Sequence, residues 1–214
     1  IDLPLIKYVA STGKPMIIST GMADADEIGE AVEAARSGGC RELAILHCVS
    51  GYPAPAADYN LNTLPEMERR FGLVTGLSDH TLDNTTAISS VALGASIIEK
   101  HFTLDRSGAG PDDSFSLEPT ELAALCRDVS TAWSALGRID FGRKSSEQGN
   151  AQFRRSLYFV KSLRAGDLVT PDAVRSVRPG FGLAPKHLDE IVGRHMDQDV
   201  KAGTAVTWAH LRDH

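Results

Sequence analysis

The sequence predicts an α/β protein: parallel strand-plus-helix units forming the C-terminal half of a TIM (β/α)8 barrel, followed by a small second domain. Three observations carry this expectation. Four short apolar runs recur with helical segments between them; their spacing of about 25 to 30 residues is that of one strand-plus-helix unit; and the pattern changes character after Gly137.

The runs are residues 15–19 (PMIIS), 43–48 (LAILHC), 73–77 (LVTGL) and 96–99 (SIIE). Between them, Ile28, Val32 and Ala35 and then Ile88, Val91 and Ala92 recur at helical spacing, giving apolar stripes suited to packing on a sheet. The longest predicted helix starts at Glu118-Pro119, carries Leu122, Leu125, Cys126, Val129, Trp133 and Leu136 on one face, and stops at Gly137. Four units cannot close a barrel that requires eight. Since the chain opens at Ile1 with a segment that already reads as a helix running into a strand, the other half is expected upstream.

Residues 1–137 are thus expected to form the partial barrel, and 138–154, polar and without periodicity, a linker. The second domain is expected over 155–214. There, 156–160 predicts a strand, 165–167 a turn, 171–174 a short helical turn, 185–192 a helix, and 200–206 a segment turning at Ala202-Gly203.

Of the 214 residues, 42% are hydrophobic and 23% charged, which fits a folded globular chain. No apolar run approaches the roughly 20 residues that span a bilayer, and no signal-peptide pattern is present. No membrane association and a cytoplasmic location are the expectations. A formal charge of −6 without a basic tract argues against nucleic acid as a partner. Cys40, Cys48 and Cys126 lack zinc-ligand or redox spacing and read as reduced packing residues.

Polar residues gather where each predicted strand ends: Ser19-Thr20-Gly21, His47-Cys48, Ser78-Asp79-His80-Thr81 and Glu99-Lys100-His101. Barrel enzymes place their chemistry at those ends. His80 and His101 would lie on neighbouring strands about 4.8 Å apart. They are either ligands of an open metal site or hydrogen-bonded core or surface histidines. Ser19, Thr20 and Ser78, with Gly21 and Gly76 allowing close backbone approach, suit phosphate or carboxylate oxygens, or else serve as caps and turns. Glu99 could manage protons, or pair with Lys100 in solvent.

The segments GKPMIISTGMA, LHCVSGYPAP, GLSDHT, LGASIIEKHFTLDR and GPDDSFSLEP resemble, in this order, the second half of the sialic acid synthase family's barrel. RRSLYFVKSLRAGD, SVRPGFGLAPKHL and KAGTAVTW resemble the family's C-terminal antifreeze-like (SAF) domain, so the resemblance covers essentially the whole chain. It implies a metal-dependent enzyme that condenses phosphoenolpyruvate with an N-acetylated amino sugar and releases phosphate. The pattern looks closest to the pseudaminic acid synthase branch, with the N-acetylneuraminate and legionaminate branches as alternatives; a non-catalytic carbohydrate-binding fragment is the competing class.

Carried over residue by residue, the resemblance makes His80 and His101 ligands of Mn2+ or Mg2+, and places Glu99 with them in the catalytic set. His47 is not among the family's metal ligands and is expected either to support the site from behind the ligands or to be structural. Substrate contacts are implied for Ser19 or Thr20, Tyr52, Ser78 and Asp112, with Ser50 at a variable contact position. It also implies a homodimer in which Arg178, on the SAF domain, reaches the sugar of the partner subunit. The family's strand-one glutamate and its phosphoenolpyruvate-binding lysines have no counterpart here, so the chain alone is expected to be inactive.

Overall fold

The computed structural model describes residues 1–108 and 110–212, which form two compact units, Ile1–Arg138 and Ile139–His214. Residues 213 and 214 of the expected second domain lie outside the described residues.

In the first unit, α1 (Leu3–Ala10) leads into β1 (Met16–Ser19), α2 (Ala25–Ser37), β2 (Leu43–Cys48), α3 (Thr63–Phe71), β3 (Val74–Asp79), α4 (Thr85–Ala92), β4 (Ile97–Lys100) and α5 (Pro119–Leu136). The strands form one sheet in the order β1-β2-β3-β4, and every neighbouring pair is parallel. Sequential parallel strands joined through helices are half of a (β/α)8 barrel, as the sequence predicts.

Local chemistry sets the helix bounds. The Asp24 carboxylate accepts from the amides of Asp26 and Glu27, while Glu27 accepts from the Asp24 amide, closing a capping box on α2. Glu121 accepts from the Glu118 amide at the start of α5, whose first helical residue is Pro119. Gly72 ends α3 at φ 61°, a left-handed position where a side chain would be strained.

Strand alternation separates the two faces of the sheet. Met16, Leu43 and Ile45 pack with Val32 and Ala35 of α2 and Met67 of α3 on the helix-covered face. Leu77 and Ile98 pack with Ala87 of α4 and Leu125 of α5 on that same face. The opposite, inner face carries Ile17, which is exposed, and Leu46, Gly76, Ser78, Ile97 and Glu99. A Cβ on Gly76 would meet the Ile97 carbonyl oxygen at 2.4 Å and Leu46 Cδ2 at 2.6 Å. The space beside Gly76 is therefore filled by protein, and this glycine serves strand packing instead of ligand approach. The apolar stripe of α5 is only partly used. Leu122, Leu125 and Val129 join the core, whereas Cys126, Trp133 and Leu136 are exposed, because β4 is the edge of the sheet and its last turns run past it.

The second unit contains an antiparallel pair, β5 (Ser156–Phe159) with β6 (Val174–Val177), and the short helix α6 (Leu188–Ile191). Isolated bridges such as Leu163↔Val200 and Met196↔Leu211 knit the remainder. Its core is Leu157, Phe159, Val169, Val174, Ile191, Met196, Val200, Val206 and Leu211. Two local readings change. The helical turn predicted at 171–174 is a turn over 171–173 only, since Val174 pairs with Phe159 and opens β6. The segment 138–154 carries a 3-10 helix over Ser145–Phe153, and the Gln152 carbonyl accepts from the Gly180 amide, so its end is bonded into the second unit.

Gly76→Ala is expected to destabilise the protein by about 1–3 kcal/mol through overpacking of β3 against β4. Urea denaturation should show a lowered midpoint with an unchanged slope.

Candidate active site

The parallel register of β3 and β4 places Ser78 opposite Glu99 and Asp79 opposite Lys100. Alternation then sends these two pairs to opposite faces. On the inner face the Ser78 hydroxyl donates to Glu99 Oε1 at 2.7 Å. One residue beyond each strand end, the His80 and His101 rings lie 5.1 Å apart between centroids, at an interplanar angle of 70°.

Both imidazoles are held through Nδ1. His80 Nδ1 sits 2.8 Å from the Val49 carbonyl oxygen, which can only accept, so this nitrogen carries a proton and, in the neutral ring, Nε2 is the one with the lone pair. His101 Nδ1 faces Asp112 Oδ2 at 3.4 Å. A carbonyl or carboxylate on the far nitrogen is the arrangement that orients metal-binding histidines. Two such rings 5.1 Å apart are within the span of imidazoles sharing one ion, so the donor set fits a cation. Among the described residues no group of three or more His, Cys, Asp and Glu side chains is arranged to hold a metal. A cation here would rest on two protein nitrogens, with its other positions open.

Tyr52 lies across the pair, its ring centroid 4.3 Å from that of His80 and 5.6 Å from that of His101. Phe115 adjoins both, 5.0 Å from His101 and 5.7 Å from Tyr52. Ser78 and His80 are buried, while Glu99 and Tyr52 remain exposed. Aromatic rings thus shield the imidazoles where the site opens.

The structure therefore brings Ser78, His80, Glu99, His101, Tyr52 and Asp112 into one cluster. Ser19 and Thr20 end β1, two strands away from β3. Thr20 is buried and its amide donates to the Leu46 carbonyl. Ser50 is exposed near Gly21, whose φ of 53° only glycine adopts readily. Arg178 belongs to the second unit, exposed directly after β6. Ser156 holds its loop, donating to the Pro179 carbonyl at 2.7 Å and accepting from the Gly182 amide at 3.0 Å. His47 alternates to the helix side, away from the imidazole pair, and its Nε2 bonds the Tyr59 carbonyl.

Sequence reading missed three supporting residues. Tyr59 is fully buried; its hydroxyl accepts from the His80 amide at 2.6 Å and donates to the Ser78 carbonyl at 3.3 Å. With the Ala54 amide on the His80 carbonyl, the 49–59 segment grips the amide, the carbonyl and Nδ1 of His80, leaving Nε2. Burial pushes the Tyr59 phenol from 10.0 up to about 12. Nothing in its sequence neighbourhood signals this role. Asp79 and Lys100 are the other two, and they could have been found. Each precedes one of the histidines, and strand alternation puts the two on one face. Lys100 pairs with buried Asp79 at 3.0 Å, and not with Glu99 in solvent.

These features define a class: a barrel-type site with two oriented imidazoles, a serine and a glutamate at adjacent strand ends. The chain belongs to the NeuB family, whose model matches residues 1–140, and a SAF domain follows over residues 154–212. It is 36% identical to a pseudaminic acid synthase of Campylobacter jejuni over 99% of this chain and 62% of the relative. It is 34% identical to an N,N'-diacetyllegionaminic acid synthase of Legionella pneumophila over 98% of this chain and 60% of the relative. The crystal structure of an N-acetylneuraminic acid synthetase from Leptospira borgpetersenii superposes with a TM-score of 0.63 at 35% identity, covering 70% of this chain and 53% of that one. The chain thus spans less than two thirds of the length of these relatives. No helix among the described residues is long and apolar enough to cross a membrane.

Tyr59→Phe is expected to cost about 1–3 kcal/mol, because it leaves the His80 amide buried without an acceptor. The raised phenol adds a pH signature. Its contribution is fully present below its unfolded value of 10.0 and is lost as pH rises toward about 12. Denaturation between pH 9 and 12 should show a steeper alkaline loss in the parent than in the Phe variant.

Proposed function

We propose that this chain is part of a pseudaminic acid synthase, which joins phosphoenolpyruvate to 2,4-diacetamido-2,4,6-trideoxy-altrose. The single observation that supports this most is the meeting of the oriented His80 and His101 rings with the Ser78–Glu99 hydrogen bond on adjacent strand ends, in a chain of the NeuB family. The methylene carbon of phosphoenolpyruvate forms a bond to the aldehyde carbon of the open-chain sugar. Water then adds at the adjoining carbon and phosphate leaves. His80 and His101 would hold a divalent ion, Mn2+ or Mg2+, which would supply Lewis acidity when bound, and imidazole ligands favour Mn2+ of the two.

The protein groups divide the remaining work. Glu99, exposed on the inner face, holds or accepts a proton at its carboxylate while Ser78 fixes its orientation. Tyr52, exposed and packed on the His80 ring, is a further substrate contact. Asp112 steadies His101 and faces the sugar. Ser19 and Thr20 offer hydroxyls at the end of β1 for phosphate or carboxylate oxygens. Arg178 contacts the sugar bound to the partner subunit of a homodimer. Legionaminic acid synthase is the alternative, since the Legionella relative matches nearly as well, at 34% identity; N-acetylneuraminate synthase is the third member of the set.

The test uses the full natural gene product. Phosphate release from phosphoenolpyruvate is expected only with sugar and a divalent metal together. His80→Ala or His101→Ala should lower it about 100-fold or more, and unchanged turnover in both would sink the metal assignment. Arg178→Ala is expected to raise the sugar KM roughly tenfold, the worth of one charge-assisted hydrogen bond. A panel of 2,4-diacetamido and 2-acetamido sugars identifies the branch. Sugar binding without phosphate release would favour a carbohydrate-binding unit.

A further inference from the structure

Behind the imidazoles, on the helix-covered face, the Lys100 ammonium is buried, with its side chain 3% exposed and that of its partner Asp79 0%. It has three protons and three acceptors: Asp79 Oδ2 at 3.0 Å, the Thr81 carbonyl at 2.8 Å and the Asp83 carbonyl at 2.7 Å. The second Asp79 oxygen accepts from the Thr81 amide at 2.9 Å. Every donor and acceptor of the pair is therefore engaged locally, which is the condition for an ion pair to be tolerated in the interior.

What this ammonium grips is specific. Asp79 and Thr81 flank His80 in the chain, and both are bonded to Lys100. His101 is the residue after Lys100 itself. One buried cation thus ties the residues on both sides of the first imidazole, through the Asp79 carboxylate and the Thr81 carbonyl, to the residue that precedes the second, across the β3–β4 seam. The hydrogen-bond partners of the pair are Thr81 and Asp83 besides each other, and no hydrogen bond among the described residues joins it to either imidazole.

We propose that the Lys100–Asp79 pair, with the 79–83 loop that it gathers, sets the spacing of His80 and His101 and thereby their affinity for a divalent cation. Both are positioning residues. The inference rests on the metal reading above and adds to it a determinant that lies outside the ligand set.

The experiment compares Mn2+ uptake, by calorimetry and by loss of the free-ion EPR signal, in the full natural gene product and in an Asp79→Leu/Lys100→Met double variant. Replacing both charges with apolar groups of similar volume removes the ion pair without leaving a lone buried charge, and such exchanges are often neutral for folding. The expected result is a thermal midpoint close to the parent's with Mn2+ affinity weakened 10- to 100-fold, the range seen when groups behind a ligand are removed. Phosphate release should partly recover at saturating Mn2+. A double variant that folds and binds Mn2+ like the parent overturns the inference alone. A double variant that no longer folds overturns it as well, because the pair would then serve the fold before the site. A parent that takes up no Mn2+ overturns the metal reading and this inference with it.

Discussion

The register of β3 against β4 is the constraint on which the rest of the site depends. Side chains alternate along a strand, so pairing Ser78 with Glu99 and Asp79 with Lys100 assigns one polar pair to each face of the sheet. The inner-face pair, a buried serine and an exposed glutamate, shares a hydrogen bond at the strand ends; the pair on the helix-covered face closes as a buried ion pair. A slip of one residue on either strand would set a carboxylate or an ammonium against an unmatched neighbour and turn the histidines away from each other. Gly76, wedged between Leu46 and Ile97, supports the same register from below, since a larger residue there would push the strands apart.

Two supports converge on His80 from different directions. From one side, the 49–59 segment engages its amide, carbonyl and Nδ1 through Tyr59, Ala54 and Val49. From the other, Lys100 holds the residues on either side of it in the chain. The His101 carbonyl accepts from the Leu117 amide at 2.9 Å, and its ring is held by Asp112 at 3.4 Å and by the rings of Phe115 and Tyr52. The two imidazoles therefore differ in their Nδ1 contacts, a carbonyl at 2.8 Å for the ring after β3 and a carboxylate at 3.4 Å for the ring after β4.

The second unit solves a different problem with few regular elements. Among the described residues it has two four-residue strands and a short α-helix around a nine-residue core, and it uses isolated bridges and turns to satisfy its backbone. Ser156 is central to the loop that bears Arg178, since its hydroxyl both donates to Pro179 and accepts from Gly182. Gly182 leaves no room for a side chain, as a Cβ would lie 2.4 Å from the Leu157 carbonyl oxygen. An exposed arginine on a loop fixed in this way is presented at low conformational cost.

The sequence by itself determined the strand-plus-helix rhythm, the half-barrel class, the family, and the placement of polar residues at strand ends. Each is written in local periodicity or in contiguous motifs such as SDHT and EKHF. It also picked out His80, His101, Ser78 and Glu99, because residues that end consecutive parallel strands must be neighbours. Only the tertiary structure decided which polar groups pair. Lys100 could have faced Glu99 beside it in the chain, yet alternation turns it to the opposite face and to Asp79. Tyr59 reads as a loop aromatic, and its grip on His80 depends on how the loop after β2 folds back over the end of β3. Trp133 sits on a helical stripe that reads as core, but burial needs a surface to meet, and beyond the edge strand β4 the end of that stripe is exposed. Periodicity specifies which face of an element is apolar; what that face touches is a property of the assembled chain.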